Sequence, residues 1–395
     1  MKIASKFKFL LTLLLLSCPC AVAEESNGLA PEVTDLNAKD VSFSLEKNIP
    51  YLEKAFINGA PRDRKDGIPV GKLGVDGGNK EMILKFAREI VDDKHDNMDS
   101  LLISYKGKLL FESYYKSGRA NYPHYQMSIT KSYTAMALGR AIQLGYLTMA
   151  DLDKPVVSFL KDIDQSKLVA GADTITLAEA MNMGSGIRID KDKAKELMKE
   201  PGKLKGQGQI QAYLTHSTPI TKESRAFKYQ SSDPSITMQV IEAVVPGSAE
   251  DFIKNEVLAK IGITNYGWQD DISGLPKSAA GSSMRSRDML KWGMLTMNGG
   301  KWQDEQLIPE KYVAKAIDRL HTNQSKTSYG FFWWRADMKV GDTQYDCISG
   351  RGAGGQFILM LPELELIVVV TSHNKGMGKT LATAPKQILP AFIKE

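Results

Sequence analysis

The spacing of apolar positions changes along this chain, and each change predicts a different element. From Glu24 to about Gly78, Pro31, Pro50, Pro61, Pro69 and several glycines interrupt every apolar run, which predicts an extended arm over the surface. Between Lys80 and Val91, Met82, Ile83, Phe86, Ile90 and Val91 recur at helical spacing. The runs Leu101–Ser104 and Leu109–Glu112, joined by a turn at Tyr105–Lys108, predict a strand, a turn and a strand. A long helical zone follows, through Ser128–Leu147, Leu177–Met183, Pro234–Val245, Ala249–Lys260 and Arg287–Met297. Strand signals return after His321 in Gly330–Trp334, Gln356–Leu361 and Leu366–Thr371, which are rich in aromatic and β-branched residues. Pro362–Glu365 joins the last two as a hairpin, and a helix over Lys379–Lys394 closes the chain.

Strands near both ends with helices between them predict an α+β fold. Residues 79–125 and 310–395 build one antiparallel sheet flanked by helices, and residues 126–309 form an inserted, mainly helical lobe. The seam between the two is the expected place for a site.

The first residues set the compartment. Lys2, Lys6 and Lys8 precede the apolar run Phe9–Leu16, and Ala21-Val22-Ala23 supplies small residues before Glu24, so residues 1–23 read as a secretory signal peptide. The apolar run is too short to span a bilayer, and no later stretch reaches the roughly 18 to 20 apolar residues a transmembrane helix needs. An exported protein, periplasmic or secreted and without a transmembrane segment, is expected. The competing reading is a lipoprotein leader, in which Leu15-Leu16-Ser17-Cys18 places a lipid anchor at Cys18. Cleavage after Ala23 leaves Cys347 as the one cysteine, with no internal disulfide, in a role that reads as structural.

With 51 basic and 46 acidic residues, three of the lysines in the leader, the mature chain is close to neutral and suggests no nucleic-acid partner. The densest basic stretch, Arg188–Lys205, alternates its lysines with Asp190, Asp192, Glu196 and Glu200 and reads as a solvated helix and loop. His95, His124, His216, His321 and His373 are scattered, so neither a metal site nor any other cofactor is expected. A Gly-x-Ser-x-Gly elbow is also missing.

What remains is a serine. Ser-x-x-Lys recurs several times, as at Ser113/Lys116 and Ser158/Lys161, but only Ser128-Ile129-Thr130-Lys131 opens a long helix with an apolar side. Residues three apart lie one turn apart on the same helix face, which brings the amine within reach of the hydroxyl. At a helix N-terminus the free N–H groups and the positive dipole end favour an alkoxide and then an oxyanion. Burial beside that end lowers a lysine toward the neutral form a base needs.

Here the chain resembles the superfamily of serine β-lactamases, D-alanyl-D-alanine carboxypeptidases (penicillin-binding proteins) and family VIII esterases, whose first motif is this Ser-x-x-Lys. Ser132-Tyr133-Thr134-Ala135, Gly145-Tyr146-Leu147, and Thr174-Ile175-Thr176-Leu177 leading to Met183-Gly184-Ser185-Gly186 look like its continuation. The resemblance covers roughly residues 99–372. It implies that Phe227-Lys228-Tyr229-Gln230-Ser231 is the second motif, Tyr-x-Ser, with the Tyr229 phenol passing a proton to the leaving group and Ser231 beside the substrate.

The third motif, Lys-Thr-Gly or His-x-Gly on a strand, has two candidates. Lys326-Thr327-Ser328 is similar in letters, but Gly350-Arg351-Gly352-Ala353 has the expected position before the penultimate strand and is preferred. Its glycines let a substrate approach the backbone, and the N–H groups of Ala353 and Ser128 are the expected oxyanion hole. Trp333 and Trp334 point to opposite faces of one strand; Trp333 is taken as the one beside the substrate.

Gly350 stands where the superfamily carries a cation for a substrate carboxylate, and Arg351 is the candidate to replace it. Tyr-x-Ser with a glycine-rich third motif looks more like aminohexanoate-dimer hydrolases and esterases of this fold. The expected function is hydrolysis of a small ester, amide or peptide-like substrate. The alternatives are a D,D-carboxypeptidase, a weak class C-like β-lactamase, and a non-catalytic cell-wall-binding protein.

Overall fold

The computed structural model describes residues 25–26, 28–33, 48–322 and 327–393. The leader, Cys18 and Lys326 lie outside them. Ten α-helices, α1 (Lys80–Val91), α2 (Ile129–Gln143), α3 (Leu177–Met181), α4 (Lys191–Leu197), α5 (Gly208–His216), α6 (Ser232–Val244), α7 (Ala249–Phe252), α8 (Ser286–Met297), α9 (Glu310–Ala316) and α10 (Thr380–Gln387), are interleaved with strands among the described residues. None of these helices is long and apolar enough to cross a membrane.

The strands are β1 (Phe56–Asn58), β2 (Met98–Tyr105), β3 (Lys108–Tyr114), β4 (His124–Tyr125), β5 (Tyr266–Trp268), β6 (Ser282–Met284), β7 (Lys301–Trp302), β8 (Glu305–Gln306), β9 (His321–Thr322), β10 (Ser328–Tyr329), β11 (Trp334–Val340), β12 (Thr343–Gly352), β13 (Gln356–Leu361) and β14 (Leu366–Ser372). Nine of them form one sheet in the order β1-β3-β2-β14-β13-β12-β11-β10-β9, and every pairing in it is antiparallel.

This sheet is buried on both faces, which explains why its central strands read as unbroken apolar runs. Leu102, Ile367 and Val369 join the core on the helical side, while Leu101, Ile103, Leu366, Val368 and Val370 pack beneath α1 and α10. α1 starts where the Asn79 side chain accepts the N–H of Met82, and it turns Ile83, Phe86, Ala87 and Ile90 inward. α8 covers the opposite face. Gly293 brings it close, since a Cβ there would stand 2.9 Å from the Cγ2 of Ile367 and 3.1 Å from that of Ile358.

Three boundaries differ from the sequence reading. α8, predicted within the helical lobe, belongs to the sheet's own covering layer through contacts with β2, β13 and β14. The arm is not wholly irregular, because Phe56–Asn58 pairs with Glu112–Tyr114 as an edge strand. The aromatic run from Gly330 is a turn with Phe332 at φ 61, and the strands there are β11 and β12. β11 was invisible as a strand because it lies near the sheet edge, where only Met338 of Trp334–Val340 is buried and the polar residues face water.

A buried ion pair ties α8 to the sheet. The Arg287 guanidinium donates from Nη2 to Glu112 Oε2 at 2.6 Å and from Nε to Oε1 at 2.9 Å, with Asp66 Oδ2 at 3.1 Å from Nη1. Removing one partner of such a pair strands the other charge, so Glu112→Ala is expected to lower unfolding stability by roughly 3 to 5 kcal/mol. Urea unfolding measures this, and a loss near zero would mean that Asp66 alone satisfies the guanidinium.

Candidate active site

The hydroxyl-bearing turn is built by backbone geometry before any side chain acts. Met127 sits in the left-handed region at φ 49, a conformation unfavourable for a residue with a side chain, and Ser128 follows as the N-cap of α2 at φ −70, ψ −8. Tight turns close behind it, from the N–H of Ile129 to the carbonyl of Gln126 and from that of Lys131 to the carbonyl of Ser128, each at 3.2 Å. The Thr130 hydroxyl donates to the Met127 carbonyl at 2.7 Å and meets Ser282 Oγ at 2.8 Å, pinning the turn to β6.

Lys131 is 3% exposed, and its amine lies 2.9 Å from Ser128 Oγ. The amine donates to the Ala279 carbonyl at 2.6 Å. Burial pushes its pKa from 10.5 down to about 7, so near neutrality a large fraction is the free amine. With one N–H spent on Ala279, the lone pair of the neutral form can accept the Ser128 proton.

Tyr229 comes from the loop before α6. Its ring faces the amine, with Nζ 4.8 Å from the ring centroid, and it lines the same groove as Ser128. Burial raises the phenol's pKa while the Ser128 hydroxyl nearby lowers it, with burial prevailing, so the group stays protonated at neutral pH. Its ring lies 5.4 Å from that of Trp334 and 6.1 Å from that of Tyr329, and Tyr329 and Trp334 stack edge to face at 4.7 Å. Ser231, the N-cap of α6, lines the same groove.

The end of β12 closes the other side. Trp334 opposite Ser349 is the last β11–β12 pair, so Gly350–Gly352 pair with β13 alone. A Cβ on Gly350 would stand 3.3 Å from the Ile129 methyl, and one on Gly352 would stand 2.3 Å from the Gln126 carbonyl oxygen. The two glycines therefore abut the chain on either side of Ser128. Ala353 follows in the turn, half-buried.

Two expectations are corrected. Trp333 does not line the groove: it is 1% exposed, and its ring lies 3.5 Å from where a Gly350 Cβ would stand, filling space beneath the strand. Trp334 is the aromatic that reaches Tyr229. Nor does Arg351 take the place of the missing cation. Side chains alternate along a strand, so Arg351 leaves on the face opposite Gly350, donating to Ser349 Oγ at 2.9 Å and lying 5.2 Å from the Trp334 ring.

Ser128, Lys131 and Tyr229 open onto a groove of about 480 Å³, also lined by Gln209, Tyr213, Gln230, Ser231, Ser235, Asp271 and Lys277–Ala280. Its lining combines polar side-chain groups with apolar surface. Sequence reasoning missed the Ala279 carbonyl, since a backbone acceptor has no side-chain signature. It also missed Asp271 and Lys277, which lie in a loop without a motif.

The family model described as Beta-lactamase matches residues 86–391. No curated protein sequence matches the chain. Among solved structures, a protein from Bacillus anthracis assigned as a 6-aminohexanoate-dimer hydrolase is 16% identical with a TM-score of 0.62, over 90% of this chain and 95% of that one. A class C β-lactamase is 15% identical with a TM-score of 0.62, over 80% and 97%. An octameric penicillin-binding protein homologue from Pyrococcus abyssi is 17% identical with a TM-score of 0.58, over 78% and 77%. At such identities the structural likeness speaks for the fold alone, while the family match spans most of the chain, from the middle of α1 to residue 391: the protein belongs to the Beta-lactamase family, with its serine-hydrolase fold.

Proposed function

We propose that this protein hydrolyses an ester or amide through an acyl-enzyme on Ser128, with Lys131 as the base and Tyr229 as the proton relay. The observation that carries the reading is the buried Lys131 amine 2.9 Å from Ser128 Oγ, with its pKa lowered to about 7.

In the first step Ser128 Oγ forms a bond to the substrate carbonyl carbon as its proton moves to the Lys131 lone pair, leaving a tetrahedral oxyanion. The N–H groups of Ser128 and Ala353 are the proposed donors to that oxyanion, one at the dipole end of α2 and one beyond Gly352. Collapse breaks the bond to the leaving group, which takes a proton from the Tyr229 phenol as the phenol recovers one from Lys131. Water then attacks the acyl carbon, and the same groups return the proton to Ser128 Oγ.

Gly350 supplies no cation at the third motif, and Trp333 fills the space beneath it, which favours esters and linear amides over substrates anchored by a carboxylate. The leader at residues 1–23 suggests that the reaction takes place outside the cytoplasm.

A fluorophosphonate probe tests the assignment, because it forms a stable bond only with an activated serine. Peptide mapping is expected to find the adduct on Ser128. Ser128→Ala is expected to abolish both labelling and nitrophenyl ester hydrolysis while keeping the parent's melting temperature. Label on another residue, or undiminished turnover by Ser128→Ala, overturns the proposal.

A further inference from the structure

One buried carboxylate close to the groove is used by no step above. Asp233, in the first turn of α6, has no exposed surface. Its Oδ1 accepts the Ser185 hydroxyl at 2.7 Å, the Gln230 amide at 2.6 Å and the Ser232 hydroxyl at 3.0 Å, while Oδ2 accepts the Ser185 N–H at 3.3 Å. Side-chain and backbone donors thus surround a carboxylate that no cation pairs with among the described residues, at the helix end where negative charge is favoured.

The donors are not a random set. Gln230 is the residue between Tyr229 and Ser231. Its Nε2 also lies 3.2 Å from Ser185 Oγ, and its Oε1 accepts from Arg188 Nη1 at 3.4 Å. Arg188 in turn holds the carbonyls of Ser224 at 2.7 Å and Ala226 at 3.2 Å. The N–H of Lys228 donates to the Met183 carbonyl at 2.9 Å. The loop carrying the phenol is therefore tied to the Met183–Arg188 segment from both sides, and the knot is Asp233.

We infer that Asp233 is a positioning residue: through Gln230 and Ser185 it holds Tyr229 over the Lys131 amine beside Ser128 and thereby controls proton delivery to the leaving group. The inference rests on the proton-relay role proposed for Tyr229. Hydrogen bonds that lock a supporting side chain fix the reacting group's geometry, and small misplacements of that group slow chemistry without removing it.

A leaving group's need for a proton separates this role from a merely structural one. A nitrophenyl ester departs as a stable anion, whereas an alkyl ester or anilide of the same acyl group needs the proton. kcat/KM for both substrates is to be measured for the parent, Asp233→Asn, Ser185→Ala and Tyr229→Phe, together with each melting temperature. Tyr229→Phe is expected to lose more on the poor leaving group than on the nitrophenyl ester, by roughly tenfold or more. Asp233→Asn is expected to show the same selective loss. Ser185→Ala removes one donor while leaving the carboxylate in place, and is expected to show a smaller loss of the same sign.

Equal losses on both substrates in Asp233→Asn and Ser185→Ala, alongside a selective loss in Tyr229→Phe, overturn the inference. If Asp233→Asn fails to fold, Ser185→Ala alone decides between the two outcomes. A Tyr229→Phe variant without selectivity instead overturns the relay role itself, and the positioning inference with it.

Discussion

Lys131→Met is expected to lower kcat/KM for a short-chain ester by about 10² to 10⁴-fold, the range for losing a positioned base, while leaving the protein more stable than the parent. The two effects have one cause. Lys131 is held among groups that desolvate its charge, with a pKa pushed down to about 7, and an ammonium there is unfavourable for folding in proportion to that shift. Methionine fills much the same volume without a charge to bury.

The pH dependence follows in sign. Below about pH 7 Lys131 is protonated and cannot accept the Ser128 proton, so kcat/KM should fall tenfold per unit as pH drops through the acid limb. For stability the lysine binds a proton more tightly in the unfolded chain than in the folded one. Between the folded value of about 7 and the ordinary 10.5 the unfolded state holds more protons, and this group makes folding more favourable as pH rises. Lys131→Met should lose that slope. Lys131→Arg should rescue nothing, because a guanidinium stays charged at every working pH. A rate profile flat through neutrality, or a methionine variant that keeps parental turnover, contradicts the assignment of Lys131 as base.

Much of this arrangement is readable in the chain because it depends on local spacing. Ser128 and Lys131 are one helical turn apart, so calling the helix sufficed to predict their meeting. α1, β13 and β14 were legible for the same reason, since their periodicity matches the faces they bury. Tyr229 is different: nothing near it in sequence shows that it stands over the amine, and only the motif resemblance pointed to it. Trp333 and Trp334 show where local reasoning stops. Alternation said that they diverge, but which one met the groove depended on the turn at Phe332, whose positive φ ends the aromatic run before the strand begins. Arg351 failed as a replacement cation on the same grounds, because adjacent strand positions cannot share a face. The Asp233 knot was beyond reach, since Ser185 and Gln230 converge on it from two separate segments, with Arg188 reaching only Gln230.

Gly352→Ala is expected to cost about 10² to 10³-fold in kcat/KM, the size of losing one oxyanion donor, whereas Gly350→Ala is expected to stay close to the parent. Both positions border the nucleophile, and the difference lies in what an added methyl meets. At Gly350 it meets the Ile129 methyl at 3.3 Å and the Trp333 ring edge at 3.5 Å, side-chain atoms that can yield by a few tenths of an ångström. At Gly352 it meets the Gln126 carbonyl oxygen at 2.3 Å, far inside contact distance, and that oxygen accepts the Ile129 N–H in the turn that presents Ser128. Either the strand end retreats, carrying the Ala353 N–H away from the hydroxyl, or the turn moves and displaces Ser128 from Lys131. Both outcomes separate groups that must converge on one carbonyl, and neither disturbs the sheet beyond the last β12–β13 pairs. Activity should thus fall far more than the melting temperature does. Equal kcat/KM for the two alanine variants would show that the end of β12 is not part of the reacting site.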